Sequence, residues 1–497
     1  MGDVPQSAVP AVDAFEPGSA RLEFEFDSFR GCVIFKCINA FSAPSELGEG
    51  ALHKVVYANS GVTVEDVADG QTLLSVSVRR RIPHHHQCGG QARCTTCRVQ
   101  VLDGASHLSP LNPWEQEVAK KRGWDDYTRL GCQIKIHGDV VVRLLVDNPQ
   151  DIIVLDLDEL QGAGPGEGKE IQAAVLFADI RNFTTFAEQN LPYDVVHMLN
   201  QHFATVAEPI LNNNGFVDKY VGDGILAVFG VRQESAEITC RNAVRAALLM
   251  QDAANRLRPL FDRSFNLSLR VGIGVHFGPA ILGRMGHPGK RQVTVIGDTV
   301  NMASRIECLT KDIDADILLS QEVVQRLAGA LRLGAAIDAP IKGRSVNTLL
   351  YPCEGFSEPD TVYLVQKSFE RLSGQVMDFG ARFYGLLFEA NPELRQHFKH
   401  DLTVQTKMLM SMLSSLVKGL NRLPEIEGGL RELGKRHSRD YKTARMDYDK
   451  VARALLKTLE EFLGDEFTPE IHQAWAAVYG RVVAVMIEAS DELMIDP

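Results

Sequence analysis

The chain has 497 residues, enough for about three domains, and its 45% hydrophobic and 23% charged residues are ordinary for a globular protein. Its 64 acidic and 52 basic residues leave a formal charge of −12 with no long basic run, which argues against a nucleic-acid binder, and no apolar run approaches the ~18 residues of a bilayer span. The nine cysteines are an odd number with four in a metal-like cluster, and the first twenty residues lack the basic start and apolar centre of a secretory leader, so a reducing, cytoplasmic location is expected.

Residues 1–20 are rich in Pro, Ala, Ser and Gly and are expected to be disordered. A first segment, 21–150, is strand-like. Val62-Thr63-Val64 and Leu74-Ser75-Val76-Ser77-Val78 alternate with the period of a strand. Cys88, Cys94 and Cys97 follow with C-x5-C-x2-C spacing, and Cys132 comes after 34 intervening residues. Four thiolates are the usual ligand set of a [2Fe–2S] cluster, and Gly89 and Gly90 let the backbone wrap closely around it. Four cysteines also suit structural zinc, although zinc sites usually show two short Cys-x-x-Cys knuckles and only one is present here. The order of hairpin, cysteine loop and distant cysteine resembles the ferredoxins, with the x5 gap of the adrenodoxin type, over about residues 50–148. The resemblance implies an α+β, β-grasp fold and a redox partner for the cluster. His84-His85-His86 reads as a solvated loop, and Cys32 and Cys37 as small apolar filler.

Residues 151–170 contain the Gly-rich stretch QGAGPGEGKE and read as a linker. In the second segment, 171–355, residues 173–180 (AAVLFADI) are expected to form a strand with Asp179 near its end. Residues 216–229 (FVDKYVGDGILAVF) read as a hairpin with Asp223 at the turn. Val195, Leu199, Phe203, Val206 and Ile210 recur at helical spacing between them, so the strands can lie in one sheet and the two acids can converge. Close carboxylates repel unless a cation lies between them, and Mg²⁺ favours few carboxylates plus phosphate oxygens. The plainer alternative is two unrelated acids, one capping a helix and one in a turn.

FADIRNFT, DKYVGDG and IGDTVNMASR, in that order, resemble the class III nucleotidyl cyclases over about 171–352. The resemblance implies an α/β domain with a ferredoxin-like palm sheet, and ATP conversion to 3′,5′-cyclic AMP and pyrophosphate. It implies that Asp179, Asp223 and the Ile180 carbonyl hold two Mg²⁺ or Mn²⁺ ions. Lys219 would read adenine N1, Asn301 would orient the ribose, and Arg305 would stabilise transition-state charge. Thr294 falls where many members carry an aspartate that accepts from the adenine amino group, and so resembles the threonine-variant adenylate cyclases. Because family sites combine residues of two subunits, a homodimer with two equivalent sites is implied.

The third segment, 360–497, has almost no strand signal. Val362, Val365, Phe369, Leu372 and Val376 recur at helical spacing, and Pro392, Pro424 and Pro469 fall where helices would start or end. His437 lies in a helix beginning near Pro424, and a lone histidine is more often a surface or core residue than a ligand. FYGLLFEANPELRQHF, VQTKML, LGKRH and MDYDKV nevertheless resemble the globin domains of bacterial haemoglobins and flavohaemoglobins. That implies an all-α globin domain in which His437 is the proximal ligand of haem b. Tyr384 and Gln405 would be distal donors to O₂ or another diatomic gas, Phe398 would pack on the porphyrin, and Tyr448 and Glu488 would form a proximal pair. The bland alternative is a helical bundle without haem.

Together the three resemblances imply an adenylate cyclase regulated by a haem globin and a redox cluster. The second reading is a globin reduced by the cluster, with NO dioxygenase or O₂-linked redox activity. Cys240, Cys308 and Cys353 read as buried filler.

Overall fold

The structure is a computed structural model that describes residues 52–86, 95–146, 168–265, 267–287, 290–342, 344–398, 401–441 and 445–495. It divides into two compact units, one essentially the N-terminal segment and the other holding the rest of the described chain.

In the first unit, strands β1 (Leu52–Tyr57), β2 (Val62–Ala68), β3 (Arg98–Asp103), β4 (Thr128–Leu130) and β5 (Val140–Leu144) form a sheet in the order β2-β1-β5-β3-β4. Neighbours are antiparallel except for the parallel pair β1–β5. Helices α1 (Leu73–Arg79) and α2 (Pro113–Arg122) interrupt the strands. Val55, Tyr57, Val76, Val99, Ile134 and Val142 are fully buried in its core. Each such side chain contributes about 1.5–3 kcal/mol of hydrophobic stabilisation.

Residues 73–79 correct the expected strand. Thr72 caps a helix there by accepting from the Ser75 amide. Leu73, Leu74, Val76 and Ser77 are its buried residues, and Ser77 Oγ bonds the Leu73 carbonyl, Tyr57 and His84. The alternation along 74–78 was therefore misleading, because the serine at 77 faces the core as an internal hydrogen-bonding hub.

The second unit is built on nine strands among the described residues. They are β6 (Lys169–Ile180), β7 (Phe216–Val221), β8 (Gly224–Phe229), β9 (Val271–His287), β10 (Lys290–Ile296), β11 (Ile317–Ser320), β12 (Leu331–Leu333), β13 (Ile337–Ala339) and β14 (Thr348–Phe356). The main order is β12-β14-β11-β9-β6-β8-β7, with β10 paired to β9 and β13 to β14. Strand β6 starts at Lys169, inside the stretch expected to be linker. It is central, antiparallel to β8 on one side and to β9 on the other. Helices α3 (Phe183–Gln189), α4 (Pro192–Asn212), α5 (Ala236–Phe265), α6 (Asp298–Ile313) and α7 (Gln321–Arg326) join the strands. The helical stripe expected between the two acids is α4. It buries Val206 and Ile210, and Val195 and Leu199 pack at the margin of the same core.

Beyond β14 the described elements are helical: α8 (Thr361–Glu370), α9 (Val376–Ala390), α10 (Leu402–Lys418), α11 (Leu423–Tyr441), α12 (Arg445–Leu463) and α13 (Pro469–Ile495), with short 3₁₀ turns between some of them. The apolar periodicity over 362–376 spans two helices, because α8 ends at Glu370 and α9 starts at Val376. The three prolines sit at or beside starts: Pro392 opens a 3₁₀ turn, Pro424 is the second residue of α11, and Pro469 opens α13.

A buried polar knot fastens these helices to the sheet segment. Asp360 caps α8 by accepting from the Tyr363 amide at 2.9 Å and takes a two-pronged bond from Arg245 of α5, 2.9 Å at both contacts. Both side chains are almost wholly buried. Arg245 also donates to Asn242 and to Asn421, and Asn421 donates to Asn213 at 2.8 Å and to the Asn212 carbonyl at 3.0 Å. Burial alone would raise Asp360, but the Arg245 bonds and charge outweigh it and hold the carboxyl below its usual range. No helix among the described residues is long and apolar enough to cross a membrane.

Candidate active site

The β6–β8 register brings the two acids together. Ala178 pairs with Ile225, so the next positions set Asp179 beside Gly224 and Ile180 beside Asp223. Gly222 adopts a left-handed φ of +63° at the first turn position, as a two-residue hairpin loop requires. Asp223 follows it in the turn, and its Oδ2 accepts from the Ile180 amide at 3.2 Å. A Cβ added at Gly224 would come within 3.2 Å of Asp179 Oδ1 and of the Ala178 carbonyl, so glycine leaves that carboxylate more room than any side chain would.

The pair is electrostatically unbalanced. Asp223 is pushed up to about 7, first by burial and then by the hydrogen bond and charge of Asp179. Lys311 of α6 approaches Asp179 only to 3.9 Å. Behind the pair lies Glu307, also pushed up to about 7 by burial and then by Asp179. Its buried Oε1 has no hydrogen-bond partner. Two acids in contact, backed by a third with an orphaned oxygen, form a site that a divalent cation would stabilise. Among the described residues no group of three or more His, Cys, Asp or Glu side chains is arranged as a ready-made cage. A two-carboxylate site suits Mg²⁺ carried with phosphate oxygens. Sequence reasoning missed Glu307 and Lys311, although their positions one helical turn apart on α6, just after Arg305, are a readable signal.

The expected base-reading residues also meet. Lys219 Nζ on β7 donates to Thr294 Oγ1 on β10 at 2.9 Å. Asn301 and Arg305 are four residues apart on α6, hence on one helix face, with Asn301 exposed and Arg305 half-buried.

In the first unit Cys97 and Cys132 are both buried. Arg98 pairs with Leu130, and the Gly131 amide donates to the Cys97 carbonyl at 2.8 Å, so the two cysteines flank one strand-end contact. Glu115 pins that loop by accepting from Arg129 and from the Leu130 amide. Gln133 donates to Cys132 Sγ at 3.2 Å, a contact that favours a thiolate. These two sulfurs fit an iron–sulfur ligand set. Cys88, Cys94, Gly89 and Gly90 lie outside the described residues, as do Cys32 and Cys37.

His84 is not solvated as expected. It is buried between Ser77 and the Cys97 carbonyl, and burial pushes it down to about 4. Of the cysteines read as filler, Cys240 is buried, Cys353 half-buried and Cys308 exposed.

In the helical region, Tyr384 of α9 is buried, and its hydroxyl donates to the Gln405 carbonyl on α10 at 3.4 Å. Phe398 packs edge-on against Tyr384, 5.5 Å between centroids. Burial pushes the Tyr384 phenol up to about 12, so it stays a donor. His437 on α11 stacks on Tyr448 of α12 at 6.2 Å. Burial, then the Arg436 charge, holds its imidazole below the usual range, which keeps it neutral and suited to bind iron. Glu488 is exposed and paired to Arg431 at 3.4 Å.

Three family models match in chain order. The 2Fe-2S iron-sulfur cluster binding domain covers residues 56–137, the adenylate and guanylate cyclase catalytic domain 168–354, and the globin 381–486. The adenylate cyclase of Anabaena cylindrica is 36% identical over 169 residues, 33% of this chain and 32% of that one. Adenylate cyclase 1 of Rhizobium meliloti is 29% identical over 256 residues, 52% of this chain and 38% of that one. The chain therefore spans about a third of the length of these two relatives. Among solved structures, the adenylyl cyclase CyaB of P. aeruginosa is 25% identical with a TM-score of 0.35, covering 38% of this chain and 95% of that one. In chain order, then, the protein joins a 2Fe-2S cluster-binding domain, an adenylate and guanylate cyclase catalytic domain and a globin domain.

Proposed function

We propose that the chain is an adenylate cyclase that converts ATP to 3′,5′-cyclic AMP and pyrophosphate in a homodimer, under control of its globin and its cluster. The observation that carries this reading is the meeting of Asp179, at the end of β6, with Asp223 in the β7–β8 turn, where burial and then the Asp179 carboxylate push Asp223 up to about 7. Asp179, Asp223 and the Ile180 carbonyl hold the metals. When bound, two Mg²⁺ or Mn²⁺ ions neutralise triphosphate charge and favour ionisation of the ribose 3′ hydroxyl.

The remaining residues position the reactants. Lys219 donates to adenine N1, and Thr294 accepts from the adenine amino group. Asn301 holds the ribose so that its 3′ oxygen lies in line with the α-phosphate. Arg305 presents planar donors to the charge that develops as pyrophosphate leaves. One protomer supplies the metal carboxylates and its partner supplies these four residues, which gives two equivalent sites.

His437, Tyr384, Gln405 and Phe398 hold haem b, which supplies the site for O₂ or another diatomic ligand. Cys97 and Cys132, with Cys88 and Cys94, hold the [2Fe–2S] cluster, which supplies a one-electron redox input. The Arg245–Asp360 knot supports regulation by the globin, since it ties the start of α8 to the asparagines that end α4 just before β7 and Lys219.

The test is cyclic AMP formation by the full chain with Mg²⁺ or Mn²⁺. Asp179→Ala is expected to abolish it while leaving the haem spectrum intact. Retained cyclic AMP formation by that variant would remove the metal assignment.

A further inference from the structure

Lys219 and Thr294 share a third partner. Asp218 precedes Lys219 on β7, where the register slips: Val217 pairs with Ala227 but Lys219 pairs with Leu226. The slip is a β-bulge, which re-aims the extra side chain. The Asp218 side chain is fully buried. Its Oδ1 accepts from the Val295 amide at 2.9 Å, and its Oδ2 accepts from the Thr294 hydroxyl at 3.0 Å and lies 3.1 Å from Lys219 Nζ.

We propose that Asp218 sets the purine preference of the site by locking the Thr294 hydroxyl as an acceptor toward the base. This rests on the adenylate cyclase reading above. A threonine hydroxyl has one proton and two lone pairs and can serve a base as donor or as acceptor. Here the donors are fixed by chemistry. A carboxylate oxygen cannot donate to the hydroxyl, so the Thr294 proton points to Asp218. The Lys219 ammonium cannot accept, so it donates to Thr294 Oγ1. What Thr294 offers a ligand is a lone pair. An amino group at position 6 of a purine matches it, and a 6-carbonyl sets two acceptors against each other.

Asp218 touches no substrate in this arrangement and is a positioning residue. It places a buried carboxylate one hydrogen bond behind the neutral threonine. Its second oxygen, held by the Val295 amide of β10, stops the carboxylate from turning away.

Asp218→Asn separates this role from simple strand tying. The asparagine carbonyl can keep the Val295 bond, and its NH₂ then faces Thr294 and donates to it. The hydroxyl proton is released toward the base, and the polarity of the contact reverses. The experiment measures kcat/KM of the full-length, haem- and cluster-loaded chain with Mn²⁺ on ATP, purine riboside triphosphate, ITP and GTP. Wild type is expected to rank the 6-amino substrate first, the 6-unsubstituted one next and the 6-oxo pair last. Asp218→Asn is expected to lower the ATP-to-GTP ratio about tenfold or more. A purely structural loss would lower both rates and leave the ratio unchanged, and that result overturns the proposal.

If the variant does not fold, the wild-type series still decides. ITP used as well as or better than purine riboside triphosphate would mean that position 6 meets no locked acceptor. Failure of the underlying reading looks different, because wild type would then form no cyclic AMP or would prefer GTP before any substitution is made.

Discussion

Asp218 and Asp223 lie five residues apart on one hairpin and meet opposite surroundings. Asp218 is saturated: a backbone amide, a hydroxyl and an ammonium surround its two oxygens. Asp223 has only backbone amides as donors, its own and that of Ile180, and faces another acid, and it is pushed up to about 7. Asp360, far away in the fold, resembles the first, since Arg245 answers its buried charge. A buried carboxylate with its donors in place organises structure around itself. One that faces another carboxylate is poised for a cation from outside the chain.

The largest expected effect comes from breaking the unbalanced pair. Asp223→Asn should lower cyclic AMP formation about a thousandfold or more, equivalent to about 4 kcal/mol of barrier. The same change should not lower metal-free stability, because it removes a charge that the fold leaves unmatched. A clear drop in the melting temperature of the metal-free protein would contradict the contrast drawn above.

Breaking the balanced pair should do the reverse. Arg245→Met leaves Asp360 buried without its partner and should cost about 3 kcal/mol in denaturant unfolding. Adding Asp360→Leu should recover most of that loss. A double variant as unstable as Arg245→Met alone would show that the knot is held by the asparagines, not by the ion pair.

A smaller effect sharpens the contrast for a buried base. His202 is buried on α4, its Nδ1 has no hydrogen-bond partner, and burial pushes it from its ordinary 6.5 down to about 4. The folded protein keeps it neutral over that range while the unfolded chain takes up a proton. Stability is therefore full above about 6.5 and falls as pH drops toward about 4. His202→Leu should flatten that part of the stability–pH curve, by about 3 kcal/mol between its ends. An unchanged slope would assign the acid sensitivity to other groups.

Legibility in the sequence followed the range of the interaction. Strand β6, the β7–β8 turn and helix α4 were readable because alternation, Gly222-Asp223-Gly224 and an apolar stripe are local signals. The meeting of Asp179 with Asp223 followed from those elements. Asp218 was not readable, because strict alternation would turn its side chain away from its neighbours on β7, and the bulge that re-aims it leaves no local mark. The helix at 73–79 was lost for a related reason: Ser77 looks polar in sequence but is buried by bonds to Tyr57 and His84. The Arg245–Asp360 pair spans 115 positions, and nothing near either residue announces the other. The stacking of His437 on Tyr448 and the pairing of Glu488 with Arg431 join residues of different helices, and no local pattern signals either contact.

The most direct test is to count Mn²⁺ by electron paramagnetic resonance on the full-length protein with an ATP analogue that lacks the 3′ hydroxyl and cannot cyclise. Two bound ions per site, with spectra showing mutual coupling, are expected for wild type, and neither should remain when Asp179 and Asp223 are both replaced by alanine. Undiminished Mn²⁺ binding by the double variant would contradict the assignment of these two carboxylates to the metals.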